Sequence, residues 1–342
     1  MKKIIGFLLV FLSLHSGMSA QGTAVNDFIS EGIKLHDKGD YTGAIDLYKK
    51  ALLLNKRSAH ANYEMASSYL ALKDYVNAIK YSDKVIAANL DYMDQAYMLK
   101  GAALDLSGKP LEAVKTYKQG LKKFTKNHLL YYNLALTSFN LKEYIHADEA
   151  LEKALQINPS HASSHLLLGY SMVNQGYRVK GVLALYNFLL LEPKGNRTTA
   201  ALNLLEEQLK KGVKKDNERS VTITMPEKKE DDEFYTAELM LGLLESSKTN
   251  EANKTRSASA VFAENTNSFF TILGELKNDK KGFWWNFYVD YFYTLATNKH
   301  TEAFCYYITQ SKDDAAYTKW VQDNLSKIES FSEWYTKYLH KF

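Results

Sequence analysis

The sequence predicts an all-α protein in two parts: five stacked helical hairpins over residues 24–195, then a second helical domain, rich in aromatic side chains, over 234–342. Two observations predict this. A small residue recurs at Ala44, Ala78, Ala113, Ala147 and Gly181, at intervals of 34, 35, 34 and 34. A period in this range means supersecondary units that bury their apolar faces on one another. All four tryptophans, Trp284, Trp285, Trp320 and Trp334, come after that array, which marks a compositional boundary.

The interval has a physical content. Two antiparallel helices of about a dozen residues with two short turns consume about 34 residues, and such a pair cannot bury its apolar surface alone. In the first helix of successive copies the small residues Gly32, Ala66, Gly101, Ala135 and Gly169 stand where helices cross closest. A larger side chain there would overpack the crossing by about 1–3 kcal/mol. Large residues recur where a cleft must be filled: Phe28, Tyr97 and Tyr131 in first helices, Tyr48 and Tyr117 in second helices.

Asn133-Leu134-Ala135, Tyr144, Ala147, Ala154 and Pro159 in the fourth copy resemble the tetratricopeptide repeat (TPR), as do Phe28, Gly32, Gly39, Tyr41, Ala44, Tyr48 and Ala51 in the first. The second copy departs from the pattern at Asn62 and Ser82, the third puts Pro110 in its turn, and the fifth carries His165, Gly181 and Phe188. The resemblance implies a right-handed superhelix of about five repeats whose first helices line a concave face. It implies that this face binds an extended peptide or a partner helix. Transferred onto this sequence, the lining residues are Ile33, Tyr63, Ser67, Met98, Asn133, Leu136, Asn140, Tyr170 and Asn174, a mixture of apolar surface with amides able to hold a peptide backbone. The family's clamp for chaperone C-terminal carboxylates needs a Lys and an Asn. Ile33 and Asp37 occupy the comparable places, which argues against that specificity.

Residues 1–20 read as a secretory signal: Lys2-Lys3, the apolar run Ile4 to Leu14, then the small, polar stretch Ser16 to Ala20. The apolar run is too short to span a bilayer, and no cysteine follows it to take a lipid. The expectation is a mature chain that is periplasmic or secreted, with no membrane span. Loss of Lys2 and Lys3 lowers the net charge from +4 to +2, so no broad nucleic-acid or anionic-membrane surface is expected. The single cysteine, Cys305, permits no internal disulfide and reads as a small buried apolar residue.

After the repeats, residues 196–212 read as a capping helix through Leu202, Leu205 and Leu209. Residues 213–233 read as a charged, solvated linker, with a short β-prone Val221 to Thr224 that could instead form an edge strand. The C-terminal domain opens with a stripe through Leu239, Leu243 and Leu244, then a helix through Phe262, Phe269, Phe270, Leu273 and Leu276. The stretch Phe283 to Tyr293 carries aromatics on more than one helix face, so it must be buried between neighbours or covered by a ligand. Thr301 to Gln310 could pair with it as a divergent hairpin, with Ala303 as its small residue. Trp320, Leu325, Ile328, Phe331, Trp334 and Tyr338 are expected to point inward from one or two last helices over Ala315 to Leu339.

His161-Ala-Ser-Ser-His165 places two imidazoles one helical turn apart, a spacing compatible with a metal. No third ligand is nearby and the HExxH glutamate is absent, so the pair reads as structural. There is no Gly-rich phosphate loop, no GxSxG elbow and no triad, and Asp231-Asp232-Glu233 reads as solvent-facing. The sequence therefore points to a non-enzymatic scaffold of the bacterial envelope that binds a protein or peptide, without catalytic residue, metal or cofactor. The alternative is glycan or small-ligand recognition by the aromatic C-terminal domain, since Tyr and Trp faces stack on sugar rings.

Overall fold

A computed structural model describes residues 22–217, 220–228, 232–249, 253, 255–312 and 315–339. The secretory signal expected over 1–20 lies outside the described residues. The chain is an array of helical hairpins followed by a further helical region, and it divides into two compact units, one ending at Glu143 and one beginning at Tyr144. The division falls inside the fourth repeat.

In the first unit, α1 (22–37), α3 (Ala59–Ala71), α5 (Met93–Leu106) and α7 (His128–Asn140) are first helices. Between them lie the second helices α2 (Tyr41–Leu54), α4 (Tyr75–Ala88) and α6 (Pro110–Lys123). Asp40, Ser58, Asp74 and Asn127 start four of these helices by accepting backbone N–H bonds through their side chains. The turn inside each hairpin is one device repeated. Its left-handed residue is Gly39 (φ 84°) or Gly108 (φ 81°), and in the second and fourth copies Lys73 (φ 61°) or Lys142 (φ 62°). The next N–H reaches back five residues, Asp40 to Leu35 and Asp74 to Tyr69, each at 2.9 Å.

The small residues sit where their interval placed them. Ala44, Ala66, Ala78, Ala113 and Ala135 are wholly buried. A Cβ built on Gly32 would fall inside the Tyr48 ring, and one on Gly101 inside the Tyr117 ring. The glycines are thus required by contact, because each tyrosine ring occupies the space a side chain would need.

The second unit runs from α8 (Tyr144–Ile157), α9 (Ala162–Asn174) and α10 (Arg178–Leu191) through α11 (Thr198–Lys210). It continues through α12 (Tyr235–Ser246), α13 (Ala258–Lys277), a π-helical turn (Trp284–Val289) and α14 (Asp290–Thr297), and ends with α15 (Thr301–Ile308), α16 (Ala315–Asp323) and α17 (Leu325–Leu339). Its centre is α10, which packs on α9, α11, α12, the π turn and α15. Arg178 through Leu190 of α10 are all buried apart from Lys180, which is half-buried. A helix apolar all round requires cover on all sides, and the C-terminal region supplies it.

Four expectations change in this unit. The charged stretch 213–233 contains a short antiparallel hairpin, β1 (Val213–Lys215) with β2 (Val221–Ile223), Val213 opposite Ile223. Alternation puts Val221 and Ile223 on one side, and a Cβ on Gly242 of α12 would lie 3.2 Å from Ile223. The first C-terminal stripe is rotated: Phe234, Ala237, Glu238 and Leu241 are buried, and Leu243 is exposed. Buried Glu238 lies 4.0 Å from the buried Arg178, which also donates to the Gln208 and Leu209 carbonyls at 2.6 and 2.9 Å. Of the last inward set, Phe331 and Trp334 are buried but Leu325 is exposed. α11 also has α10 on one side and α12 on the other, so the packing continues past it.

The aromatic stretch is core. Trp285 stacks on Phe234 at 4.4 Å, Phe270 on Phe292 at 4.5 Å, and Trp284 on Tyr288 at 5.0 Å. Widening the helix to a π turn at Trp284–Val289 lets Trp284, Trp285, Tyr288 and Val289 all point inward. Ala303 is buried, and Lys299 (φ 62°) with His300 N–H to Leu295 repeats the hairpin turn of the first unit. α15 nonetheless packs on α13.

Candidate functional site: the first-helix face of the repeats

In the first unit α3 packs on α5 and α5 on α7, so residues at matching positions form columns. Ile33, Tyr63, Ser67, Met98, Asn133 and Leu136 are half-buried, and Asn140 is exposed. None of the seven is lost to the interior, whereas the small residues of the same helices are. In the second unit Tyr170 is half-buried and Asn174 exposed on α9.

The face has a centre that the columns alone did not reveal. Tyr63 stacks on Tyr92 at 5.2 Å and 19°, and His60 stacks on the same ring at 4.7 Å and 14°. Tyr92 stands in the left-handed conformation (φ 66°) at the head of α5, which turns its ring back across α3. Beside this stack Glu64 is mostly shielded, 3.4 Å from His60 Nε2. Burial, with the charge of Asp37, pushes its carboxyl up to about 7. Burial also lowers His60 below the usual imidazole range, so the two groups approach neutrality together.

Hydrogen bonds fix neighbouring first helices along the face. His36 Nδ1 and Ser68 Oγ are 2.7 Å apart, and Thr137 donates to Asp105 Oδ2 at 2.9 Å. Asn127 donates to Asp94 Oδ2 at 2.9 Å. The surface offers rings, carboxylates and amides from separate repeats, which can hold a peptide through stacking and backbone hydrogen bonds. Glu64 was within reach of sequence reasoning, because it occupies the repeat position of Asn133. Tyr92 was not, because it lies in a turn, outside the helical register that selected the others.

The His161/His165 pair is structural. His165 Nδ1 is 2.7 Å from Tyr288 Oη and its Nε2 is 2.8 Å from the Pro159 carbonyl, which leaves no lone pair for a metal. Among the described residues no cluster of three potential metal ligands occurs, and no helix is long and apolar enough to cross a membrane. Cys305 is buried, and its thiol is pushed far up by that burial.

The family profile described as Tetratricopeptide repeat matches residues 35–103, and a second of that description matches 129–161. These segments are tetratricopeptide repeats. A TPR repeat-containing protein of Methanocaldococcus jannaschii is 24% identical over 193 residues, which are 54% of this chain and 34% of that protein. The small glutamine-rich tetratricopeptide repeat-containing protein 2 of Saccharomyces cerevisiae is 28% identical over 155 residues, 43% of each chain. The chain thus spans well under half the length of these curated relatives. Among solved structures, YrrB, described as a TPR protein with an unusual peptide-binding site, is 18% identical with a TM-score of 0.43, over 55% of this chain and 98% of its own.

Proposed function

We propose that this protein is a non-enzymatic scaffold of the bacterial envelope whose first-helix face binds a protein or peptide partner. The observation that carries the reading is the contrast within each first helix. Gly32, Ala66, Gly101 and Ala135 are buried in packing, while Ile33, Ser67 and Leu136, each one residue on, stay half-exposed, as do Tyr63 and Met98, three residues before Ala66 and Gly101. Side chains kept half-exposed at two registers through these copies, all apolar or aromatic apart from Ser67, suit an extended segment or helix laid across them. The accessible amides Asn133 and Asn140 supply backbone recognition.

A photocrosslinking residue placed at Tyr63, Met98 or Leu136 of the full chain in its native cells is expected to capture a discrete partner. The same residue at the exposed Lys84 of α4 is expected to capture none. Adducts at Lys84 with none on the first helices would overturn the assignment. The envelope setting has its own test: N-terminal sequencing of the mature chain should begin just after Ala20, and a chain that keeps Met1 in the cytoplasmic fraction rejects export.

A further inference from the structure

A cleft of about 530 Å³ opens in the second unit between α11, α13 and α15. We infer that it is a binding site for a small organic anion, a carboxylate or phosphate carried on a ring or short aliphatic body. Its size is that of a small-molecule pocket. Four cations line it from four separate segments: Lys210 at the end of α11, Lys248 after α12, Arg256 before α13 and Lys312 after α15. Among the described residues two carboxylates, Glu206 and Glu245, line the cleft with them.

The carboxylates are already engaged. Glu206 accepts from both Lys210 and Lys312, which hold its carboxyl below the usual range. Glu245 pairs with Lys248 at 2.6 Å. Arg256 pairs with Glu264 and donates to Asn253, which also lines the cleft. With Glu264 counted, the described residues keep an excess of one positive charge over a floor of Leu209, Val261 and Phe262. A cleft of one sign with low-dielectric walls concentrates the oppositely charged ligand.

The cations are reachable, with Lys248, Arg256 and Lys312 retaining 30%, 40% and 46% side-chain exposure. Rings supply the rest of the fit. Phe262, Tyr306 and Tyr317 line the cleft, and Tyr306 is backed by Trp320, stacked at 3.9 Å and 5°. A neutral sugar would leave the charge excess uncompensated; an anion with an apolar body uses both parts of the wall. Cys305, which also lines the cleft, is buried, and that burial pushes its thiol far up.

The test uses the full chain with benzoate, phenyl phosphate and hexanoate against benzamide and hexanamide, read by calorimetry and tryptophan emission. The anions are expected to bind saturably, about tenfold or more tighter than the matching amides, with affinity falling as salt rises. The carboxylate and phosphate arms tell which head group the site prefers. Lys312→Gln with Arg256→Gln should weaken anion binding about tenfold while leaving the amides unaffected. Lys248→Gln, on another segment, should do the same in part, which guards against a local folding defect. Trp320→Phe should remove the emission change and keep the heat. Equal binding of anion and amide, undiminished binding in the charge variants, or no saturable heat at millimolar anion would each overturn the site. Tyr63→Ala, in the repeat face, should leave every anion result unchanged, so the two assignments stand or fall separately.

Discussion

A glycine under a tyrosine ring is the smallest unit of this architecture. Gly32 with Tyr48 and Gly101 with Tyr117 are matched by sequence position to Gly169 with Leu185, where a Cβ would stand 3.0 Å from the leucine. Gly101→Ala is expected to cost about 1–3 kcal/mol through overpacking. Gly101→Ala combined with Tyr117→Leu should recover much of that, because the smaller partner clears the new methyl, and urea melts of the three variants close the cycle. Glu64 gives a second prediction. Its folded pKa, about 7, lies above the ordinary 4.5, so the folded chain holds a proton that the unfolded chain releases. Stability from this group is complete below about pH 4.5 and is lost as pH rises through 7. Glu64→Gln should therefore be more stable than the parent at pH 8, by about 1–3 kcal/mol, with no such gain at pH 4.5.

Among the elements, α10 shows how one repeat position acquires different meanings. Val76, Leu111, Ile145 and Val179 occupy the same place in successive second helices. Val76 is 77% exposed and Val179 only 1%. Val179→Glu should destabilise by about 3 kcal/mol or more, as a buried charge without a partner, whereas Val76→Glu should stay within about 0.5 kcal/mol. α9 and the π turn meet at the hydrogen bond from Tyr288 to His165. Burial lowers that imidazole from 6.5 to about 4, so the unfolded chain takes up the proton first. Its contribution is complete above about pH 6.5 and is lost as pH falls towards 4, at about 1.4 kcal/mol per unit. His165→Gln should flatten that part of a stability-against-pH curve.

The hairpin array was legible in the sequence because one register of small residues persists from Ala44 to Gly181, and packing tolerates little else there. The partner of the fifth hairpin was less legible. The apolar sequence of α10 announces a helix covered on every side, but not by what, since its cover comes from residues far along the chain such as Phe270, Phe292 and Phe304 around Tyr186. The rotation of α12 escaped for a similar reason. The stripe through Leu239, Leu243 and Leu244 took no account of Glu238, which is buried near the buried Arg178.

At the scale of the whole molecule, residues 144–342 form one compact unit in which the last repeat and the tail share a core. A chain ending at Gly212 should therefore lose more than its tail. Hydrogen exchange is expected to show α8–α10 deprotected, with the helices up to Glu143 still protected. Retained protection across α10 would refute the shared core.

The sealed surface of α10 also limits how such a protein can grow. A solenoid lengthens by duplicating a copy that can accept the next one on its open flank, and the fifth hairpin has no open flank to offer. New copies are tolerable only upstream, among those whose second helices still begin with an exposed Val76 or Leu111. The number of repeats is thus adjustable at one end and frozen at the other.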